Sequence, residues 1–236
     1  MSFLSSCFHL ARNSNSAVRR LPILLLTLLA GSLLSSCSSG LYPLDPPALQ
    51  ARGLQPGEGY IVATLDTEAV NHKGEPATRG AMALLLVRGS GTAKGAYPTL
   101  VPYGRPSGQA SKEIAIPVPA GDYEITGWSM SGAGSSGPVT VANRKPIKVP
   151  FQVQPGEATY VGSYHSTAFI GRNLLGFPIF ARGIITAEDK FSTDQAAIAK
   201  KYPSIKKDRI RRSDAAKTYM SEMKRISEKS GFLGLF

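Results

Sequence analysis

Apolar and polar residues alternate along several short segments of the chain, and the clearest alternation runs from Ile147 to Gln154. Its apolar members are Ile147, Val149, Phe151 and Val153, separated by Lys148, Pro150, Gln152 and Gln154. Because neighbouring side chains of a β-strand point to opposite faces of the sheet, this period of two predicts a half-buried strand. Pro150 has no N–H to donate, which predicts an edge strand or a bulge. Pro155 and Gly156 then fit the centre of a type II turn.

Short apolar or β-branched runs occupy most of the chain between Tyr60 and Thr186. They are Tyr60–Leu65, Ala81–Val87, Glu113–Val118, Tyr123–Ser129, Ala158–Tyr164 and Gly176–Thr186. Turn residues separate these runs, and none of them shows a helical period. The pattern predicts a mainly β domain over residues 60–190, with roughly seven to nine strands in an antiparallel β-sandwich or barrel.

The single tryptophan, Trp128, does not fit a simple alternation. Strict alternation from Tyr123 and Ile125 places Trp128 on the opposite face of its strand. Gly127 can form a bulge that turns Trp128 back towards the core. We therefore predict that Trp128 packs in the core, with an exposed ligand platform as the alternative.

Behind the last of these runs the pattern becomes helical. Ser192 or Thr193 is a candidate N-cap for a helix over Asp194–Lys201, and Pro203 ends that helix. Ser213 is a second candidate cap. The apolar residues that follow it at helical spacing are Ala216, Tyr219, Met220, Met223 and Ile226. Residues 191–236 are therefore predicted to form a short helical tail behind the β-domain.

The amino-terminal 36 residues have the organisation of an export signal. They contain Arg12, Arg19 and Arg20, no Asp or Glu, and a 14-residue apolar run, Leu21–Leu34. A helix that crosses a bilayer needs about 20 apolar residues, so this run is too short to span one. A positive start followed by a short apolar centre indicates a signal peptide that is removed from the mature protein.

The apolar run ends in Leu34-Ser35-Ser36-Cys37: an aliphatic residue, two small residues and a cysteine. This segment resembles the lipobox of bacterial lipoprotein precursors. The resemblance implies that the Cys37 thiol receives a diacylglycerol, that the peptide before Cys37 is cut off, and that the new amino group is palmitoylated. Ser38 follows Cys37 where an Asp commonly signals inner-membrane retention, which implies the outer membrane, facing the periplasm. The alternative is an ordinary secretory peptide with a chance cysteine nearby.

The segment behind Cys37, up to Gly59, is rich in Ser, Gly and Pro and shows no apolar period. We predict that residues 37–59 form a flexible tether. The other cysteine, Cys7, lies in the segment that is removed. The exported domain is therefore expected to have no disulfide and to be stable by burial alone.

The chain is strongly basic, and the charge is concentrated in one stretch. It carries 27 basic and 16 acidic residues, and removal of the three arginines in residues 1–36 changes the net charge from +11 to +8. For an exported protein this favours anionic lipid, lipopolysaccharide or cell wall over nucleic acid. We call Lys200–Arg212 the basic stretch. It is either a solvated surface or a contact with such an anionic surface, and the alternative for the tail as a whole is that it packs on the sandwich or is partly disordered. The basic residues of the stretch are Lys200, Lys201, Lys206, Lys207, Arg209, Arg211 and Arg212.

No motif of a known catalytic or metal site is recognisable in the sequence, and no cofactor is predicted. His72 and His165 lack a second ligand at metal spacing. The glycine-rich segments Arg88–Gly95 and Gly132–Gly137 match neither a phosphate-binding loop nor a nucleophile elbow, so we interpret both as loops. If the site of an enzyme is assembled from distant residues, the natural candidates are His165, Asp66, Glu188 and Asp189.

Two segments resemble a group of poorly characterised bacterial lipoproteins. They are Val118–Ile125 (VPAGDYEI), with Trp128 behind it, and Phe151–Gly162 (FQVQPGEATYVG); Glu188–Phe191, Asp194 and Tyr202-Pro203 add to the similarity. The resemblance implies a small immunoglobulin- or prealbumin-like sandwich, and it brings no catalytic residues with it. The expected function is that of a membrane-anchored envelope lipoprotein acting as a non-enzymatic binding or assembly module. A cell-wall or polysaccharide-active enzyme is the alternative.

Overall fold

The structure is a computed structural model that describes residues 41–77, 80–101 and 112–229. All of them belong to one compact unit, Ser39–Phe236. The described elements comprise ten strands and three α-helices. The strands are β1 (Glu58–Asn71), β2 (Ala81–Ser90), β3 (Thr99–Leu100), β4 (Glu113–Pro119), β5 (Gly121–Ala133), β6 (Pro138–Ala142), β7 (Val149–Val153), β8 (Ala158–Arg172), β9 (Pro178–Glu188) and β10 (Ile210–Arg212). The helices are α1 (Pro46–Arg52), α2 (Phe191–Lys201) and α3 (Ala215–Lys229).

The strands form two five-stranded sheets, which confirms a mainly β domain. The first sheet has the order β10-β8-β1-β4, with β9 also paired to β8. The second has the order β3-β2-β5-β6, with β7 also paired to β5. The prediction of a purely antiparallel arrangement is wrong for the first sheet, because β8 runs parallel to both β1 and β10. A parallel pair needs a long connection between its strands, and here all five strands of the second sheet lie between β1 and β8 in the chain.

Buried side chains from both sheets share one hydrophobic core. Trp128 belongs to it with 7% of its surface exposed, as predicted. The pairing of β2 with β5 slips by one residue at this point, because Leu86 faces Gly127 and Val87 faces Ile125. The extra residue on β5 is a β-bulge, and it restores Trp128 to the same face as Ile125.

The predictions for the strand with the clearest alternation are confirmed. Val149, Phe151 and Val153 are buried, and the residues between them are exposed. The strand pairs only with β5 among the described strands, and Pro150 lies opposite Glu124. Gly156 has a φ of 73°, and the Glu157 N–H donates to the Gln154 carbonyl at 3.3 Å. That geometry is the expected turn with glycine at its third position.

Residues 41–59, the described part of the segment predicted as a flexible tether over 37–59, contain regular structure. Leu41 already pairs with Pro98, and α1 follows. Asp45 caps this helix by accepting a 2.7 Å hydrogen bond from the Ala48 N–H, and Leu49 is fully buried. Proline at the start of a helix and glycine behind its end are favourable, so a segment that looks like a linker by composition also carries helix signals.

Residue 190, where the β-domain is predicted to end and the tail over 191–236 to begin, lies inside one compact unit. Helix α2 packs on the outer face of the first sheet, and strand β10 extends that sheet. Helix α3 contributes Ala215, Ala216 and Tyr219 to the core that the two sheets share. The helices predicted over 194–201 and behind Ser213 are present, but they complete the fold rather than follow it. Residues 230–236 lie outside the described part of the chain.

Candidate functional site

A bulge in β8 creates the most polar region on the outer face of the first sheet. Val62 pairs with Tyr160 and Thr64 pairs with Ser163, so β8 carries one residue more than β1 between these points. Gly162 has a φ of 135°, and a Cβ at this position would lie 2.8 Å from the Cβ of Ala216. Only glycine fits both requirements. The extra residue places Ser163 and His165 on the outer face and Tyr164 in the core.

Behind this bulge lies an open pocket of about 270 Å³, which we call the polar pocket. Strands β1, β8 and β9 and helix α2 supply most of its lining. The lining residues are Thr64, Asp66, Lys112, Glu113, Ser163, Tyr164, His165, Thr186, Glu188, Lys190 and Asp194. Three of the four residues proposed for a distant-residue active site are among them: Asp66, His165 and Glu188.

A hydrogen-bond chain forms the inner wall of the polar pocket. Asp194 is 8% exposed and accepts hydrogen bonds from the Thr64 hydroxyl at 2.9 Å and from the Tyr160 hydroxyl at 2.7 Å. The Thr64 oxygen also lies 2.8 Å from the Ser163 oxygen. Because an ionised carboxylate only accepts, the single Thr64 proton goes to Asp194, and Ser163 donates to Thr64. Burial, and secondly the contact with Asp194, raise the pKa of Tyr160. This chain fixes α2 to the first sheet.

The outer wall of the polar pocket consists of exposed charges of both signs. Lys112 Nζ lies 2.6 Å from Asp66 Oδ2, and Lys190 Nζ lies 2.9 Å from Glu188 Oε2. The hydrogen bond from Lys190 lowers the pKa of Glu188. All four side chains are at least 40% exposed. Ion pairs with this exposure are screened by water and contribute little to stability, so a charged ligand can replace one partner at little cost.

His165 lies between two carboxylates at the edge of the polar pocket. Its Nε2 is 3.1 Å from Glu68 Oε1, within hydrogen-bond range, whereas Nδ1 is 3.9 Å from Asp66 Oδ2. The hydrogen bond to His165 lowers the pKa of Glu68. Glu68 was not among the predicted candidates. The signal that could have found it is the period of two in β1, which puts Thr64, Asp66 and Glu68 on one face.

Asp189, the fourth predicted candidate, does not belong to the lining of the polar pocket. Its carboxylate forms a salt bridge with Arg212 and accepts a 3.2 Å hydrogen bond from the Phe191 N–H at the start of α2. Sequence reasoning missed Lys112, Ser163, Lys190 and Asp194. The position of Ser163 depends on the Gly162 bulge and that of Asp194 on the docking of α2, and neither feature has a local pattern.

The basic stretch is divided between the end of α2, a turn and β10. Lys201 lies 3.8 Å from Glu113, Arg211 lies 3.1 Å from Glu157, and Arg212 pairs with Asp189. Burial lowers the pKa of Lys201 more than Glu113 raises it. The other four basic residues, Lys200, Lys206, Lys207 and Arg209, are exposed. The predicted contact of this stretch with an anionic surface stays a prediction.

The lipobox, Leu34 to Cys37, lies outside the described residues. Within the described residues, no helix is long and apolar enough to span a membrane. The same part of the chain contains no group of three or more His, Cys, Asp or Glu side chains that could hold a metal ion. No protein-family model matches the sequence, and no curated protein matches it significantly. The resemblance to bacterial lipoproteins is therefore carried only by the motifs that suggested it.

Proposed function

We propose that this protein is an envelope lipoprotein, anchored through Cys37 in the outer membrane, whose β-domain binds a component of the envelope without converting it. The domain is proposed to be a β-sandwich of the immunoglobulin- or prealbumin-like type. The polar pocket is the proposed binding site, and the basic stretch is proposed as a further contact with lipopolysaccharide or cell wall. The anchor is supported by the lipobox and by the short apolar run before it.

The observation that carries the binding proposal is the exposure of paired charges around the polar pocket. Asp66 and Glu188 offer carboxylates, Lys112 and Lys190 offer ammonium groups, and Ser163 and Thr186 add hydroxyls. This arrangement complements a ligand that carries amino, carboxylate and hydroxyl groups together. Cell-wall fragments composed of a disaccharide and a short peptide have this chemistry. We therefore propose them as the ligand class.

A second candidate function, hydrolysis of a cell-wall polymer, is favoured by the meeting of Asp66, His165 and Glu188 in one pocket. Hydrolysis of a glycosidic bond requires a carboxylic acid whose pKa is raised, so that it can donate a proton at neutral pH. Lys190 lowers the pKa of Glu188, and His165 lowers that of Glu68. Both carboxylates therefore remain ionised, which suits binding better than general acid catalysis.

The experiment that separates the two functions uses a chain that begins at Ser39, because this chain contains every described element. Binding of purified disaccharide-peptide fragments is measured by calorimetry, and the fragments are then recovered and weighed by mass spectrometry. We expect binding with the fragments returned intact. Replacing both His165→Ala and Asp66→Asn removes the imidazole and one carboxylate charge of the pocket and should weaken binding by about tenfold or more.

The matched control replaces Arg88→Ala and Glu124→Gln, which form a 3.3 Å ion pair on the second sheet. Its affinity should equal that of the unchanged protein. Fragments returned hydrolysed would establish the enzyme instead. Absence of binding, or equal affinity of the pocket variant and the control, would rule out the polar pocket as the binding site.

A further inference from the structure

The hairpin between β8 and β9 presents apolar side chains where turns ordinarily carry polar ones. We call Asn173–Phe177 the hairpin tip. Leu174 is 106% exposed, Leu175 79% and Phe177 59%. Large apolar patches are rare on the surface of a soluble monomer, and they mark sites of contact with proteins or membranes.

The hairpin tip is held in one conformation by its own hydrogen bonds. The Asn173 N–H donates to the Phe177 carbonyl, and the Gly176 N–H donates to the Asn173 carbonyl, both at 2.9 Å. The Asn173 side chain accepts from the N–H groups of Leu175 at 3.0 Å and Phe177 at 2.9 Å. Because the turn is already ordered, exposing the leucines needs no change of the backbone, and binding through them carries little entropy cost.

The charged side chains of the hairpin itself are positive. The segment Phe169–Arg182 contains Arg172 and Arg182 and no Asp or Glu. Arg172 reaches the Gly176 carbonyl at 3.0 Å, and Arg182 lies over the Phe169 ring with its guanidinium carbon 4.3 Å from the ring centre. Both arginines are exposed. Apolar side chains at a convex point with arginines behind them complement the interface of an anionic bilayer, where leucine enters the acyl region and arginine contacts phosphate.

Two more exposed apolar residues lie at the same end of the domain. Ala81 pairs with Gly132 at the start of β2, and a Cβ on Gly132 would lie 2.7 Å from the Phe180 Cβ. The starts of β2 and β6 are therefore level with the base of the β8–β9 hairpin. Met82 is 43% exposed on β2, and Val139 is 39% exposed on β6. Met82 and Val139 are therefore at the same end of the domain as the base of the hairpin.

We propose that the hairpin tip inserts into the surface of an anionic bilayer and gives the domain a membrane contact that is separate from Cys37. The proposal rests on the proposed envelope location, because that location puts a bilayer within reach of the domain. It does not depend on the polar pocket.

A bilayer contact through the hairpin tip is an alternative to one through the basic stretch. Strand β10 pairs with the start of β8 at Ala158–Tyr160, and the hairpin tip follows the end of β8. The two regions are therefore about 40 Å apart along the strand.

The test uses the chain beginning at Ser39, which contains no cysteine. Leu175→Cys is labelled with an environment-sensitive fluorophore, and vesicles of phosphatidylglycerol and phosphatidylethanolamine are added. We expect a blue shift of the emission and sedimentation of the protein with the vesicles. A label on Gln152→Cys, an exposed position on β7, should show no shift. Leu174→Asp together with Leu175→Asp should lower the partition coefficient by about tenfold or more.

The competing variant replaces Lys206→Glu and Lys207→Glu in the basic stretch, and its partition coefficient should stay close to that of the unchanged protein. Circular dichroism checks that both variants fold. Failure of the unchanged chain to bind vesicles would overturn the proposal, as would equal binding by the hairpin-tip variant. Loss of binding in the Lys206 and Lys207 variant alone would assign the contact to the basic stretch. Fragment binding in the polar pocket is unaffected by any of these changes, so failure here leaves the proposed function untouched.

Discussion

A chain that begins at Ser39 and ends at Lys190 is expected not to fold. The deletion removes α2, β10 and α3, and with them five large side chains with 3% exposure or less. They are Ile198, Tyr202, Ile205, Ile210 and Tyr219. Burial of one such side chain contributes about 1.5–3 kcal/mol, so their loss removes roughly 10 kcal/mol. A domain of this size is stable by about 5–15 kcal/mol in total. Far-UV circular dichroism and thermal unfolding measure the result.

Two substitutions in α2 test whether the loss of stability comes from the buried side chains or from any change in this part of the chain. Ile198→Ala removes a fully buried side chain and should lower the free energy of unfolding by about 2–5 kcal/mol. Lys200→Ala lies on the exposed side of the same helix and should change it by no more than about 0.5 kcal/mol. A cooperative transition at the original temperature in the chain ending at Lys190 would show that the β-domain is independent of its tail.

Alkaline pH is expected to unfold the domain, because several tyrosines are buried with their hydroxyls. Burial raises the pKa of each of them, and the pKa of Tyr202 reaches about 12. The others are Tyr60, Tyr123, Tyr160, Tyr164 and Tyr219. In the unfolded chain a tyrosine loses its proton near pH 10. Above that pH the unfolded state holds fewer protons than the folded state, so stability falls as pH rises.

The size of this effect is large enough to measure directly. At pH 11 each tyrosine whose folded pKa is above 11 destabilises the fold by about 1.4 kcal/mol, so four or five such residues remove roughly 6–7 kcal/mol. Absorbance at 295 nm follows tyrosinate formation, and circular dichroism follows the fold. Both should change together between about pH 10 and 12. Tyr202→Phe, the matched variant, should make the pH dependence less steep by one proton. Loss of the proton from the six buried tyrosines near pH 10, with the structure retained, would contradict the burial described here.

The strands could be predicted from the sequence wherever one face is buried and the other exposed. The alternation over Val149–Val153 and the Gly127 bulge that returns Trp128 to the core are local patterns. The burial of β1 is different, because α1 and α2 cover its outer face near Tyr60 while the core covers the other. Strand β1 pairs with β8, about a hundred residues further along the chain, and no pattern within β1 itself indicates this partner. The parallel arrangement therefore could not be predicted.

The residues of the polar pocket could also be predicted only in part from the sequence. Asp66, His165 and Glu188 were plausible from residue type alone, but Asp189 was equally plausible and instead pairs with Arg212. Asp189 lies outside the pocket lining because its carboxylate accepts a hydrogen bond from the Phe191 N–H at the start of α2. Composition alone does not indicate the helix within residues 41–59, although Asp45 and Gly53 are ordinary helix-end residues. Local capping signals are the better guide there.

The proposed anchor at Cys37 would decide where the polar pocket and the hairpin tip work. It is tested by mass spectrometry of the amino-terminal peptide of the full-length protein after purification from membranes. We expect a peptide that begins at Cys37 and carries a thioether-linked diacylglycerol and an amide-linked palmitoyl group. A peptide that begins at another residue, or one in which Cys37 has a free thiol, would contradict the proposed anchor.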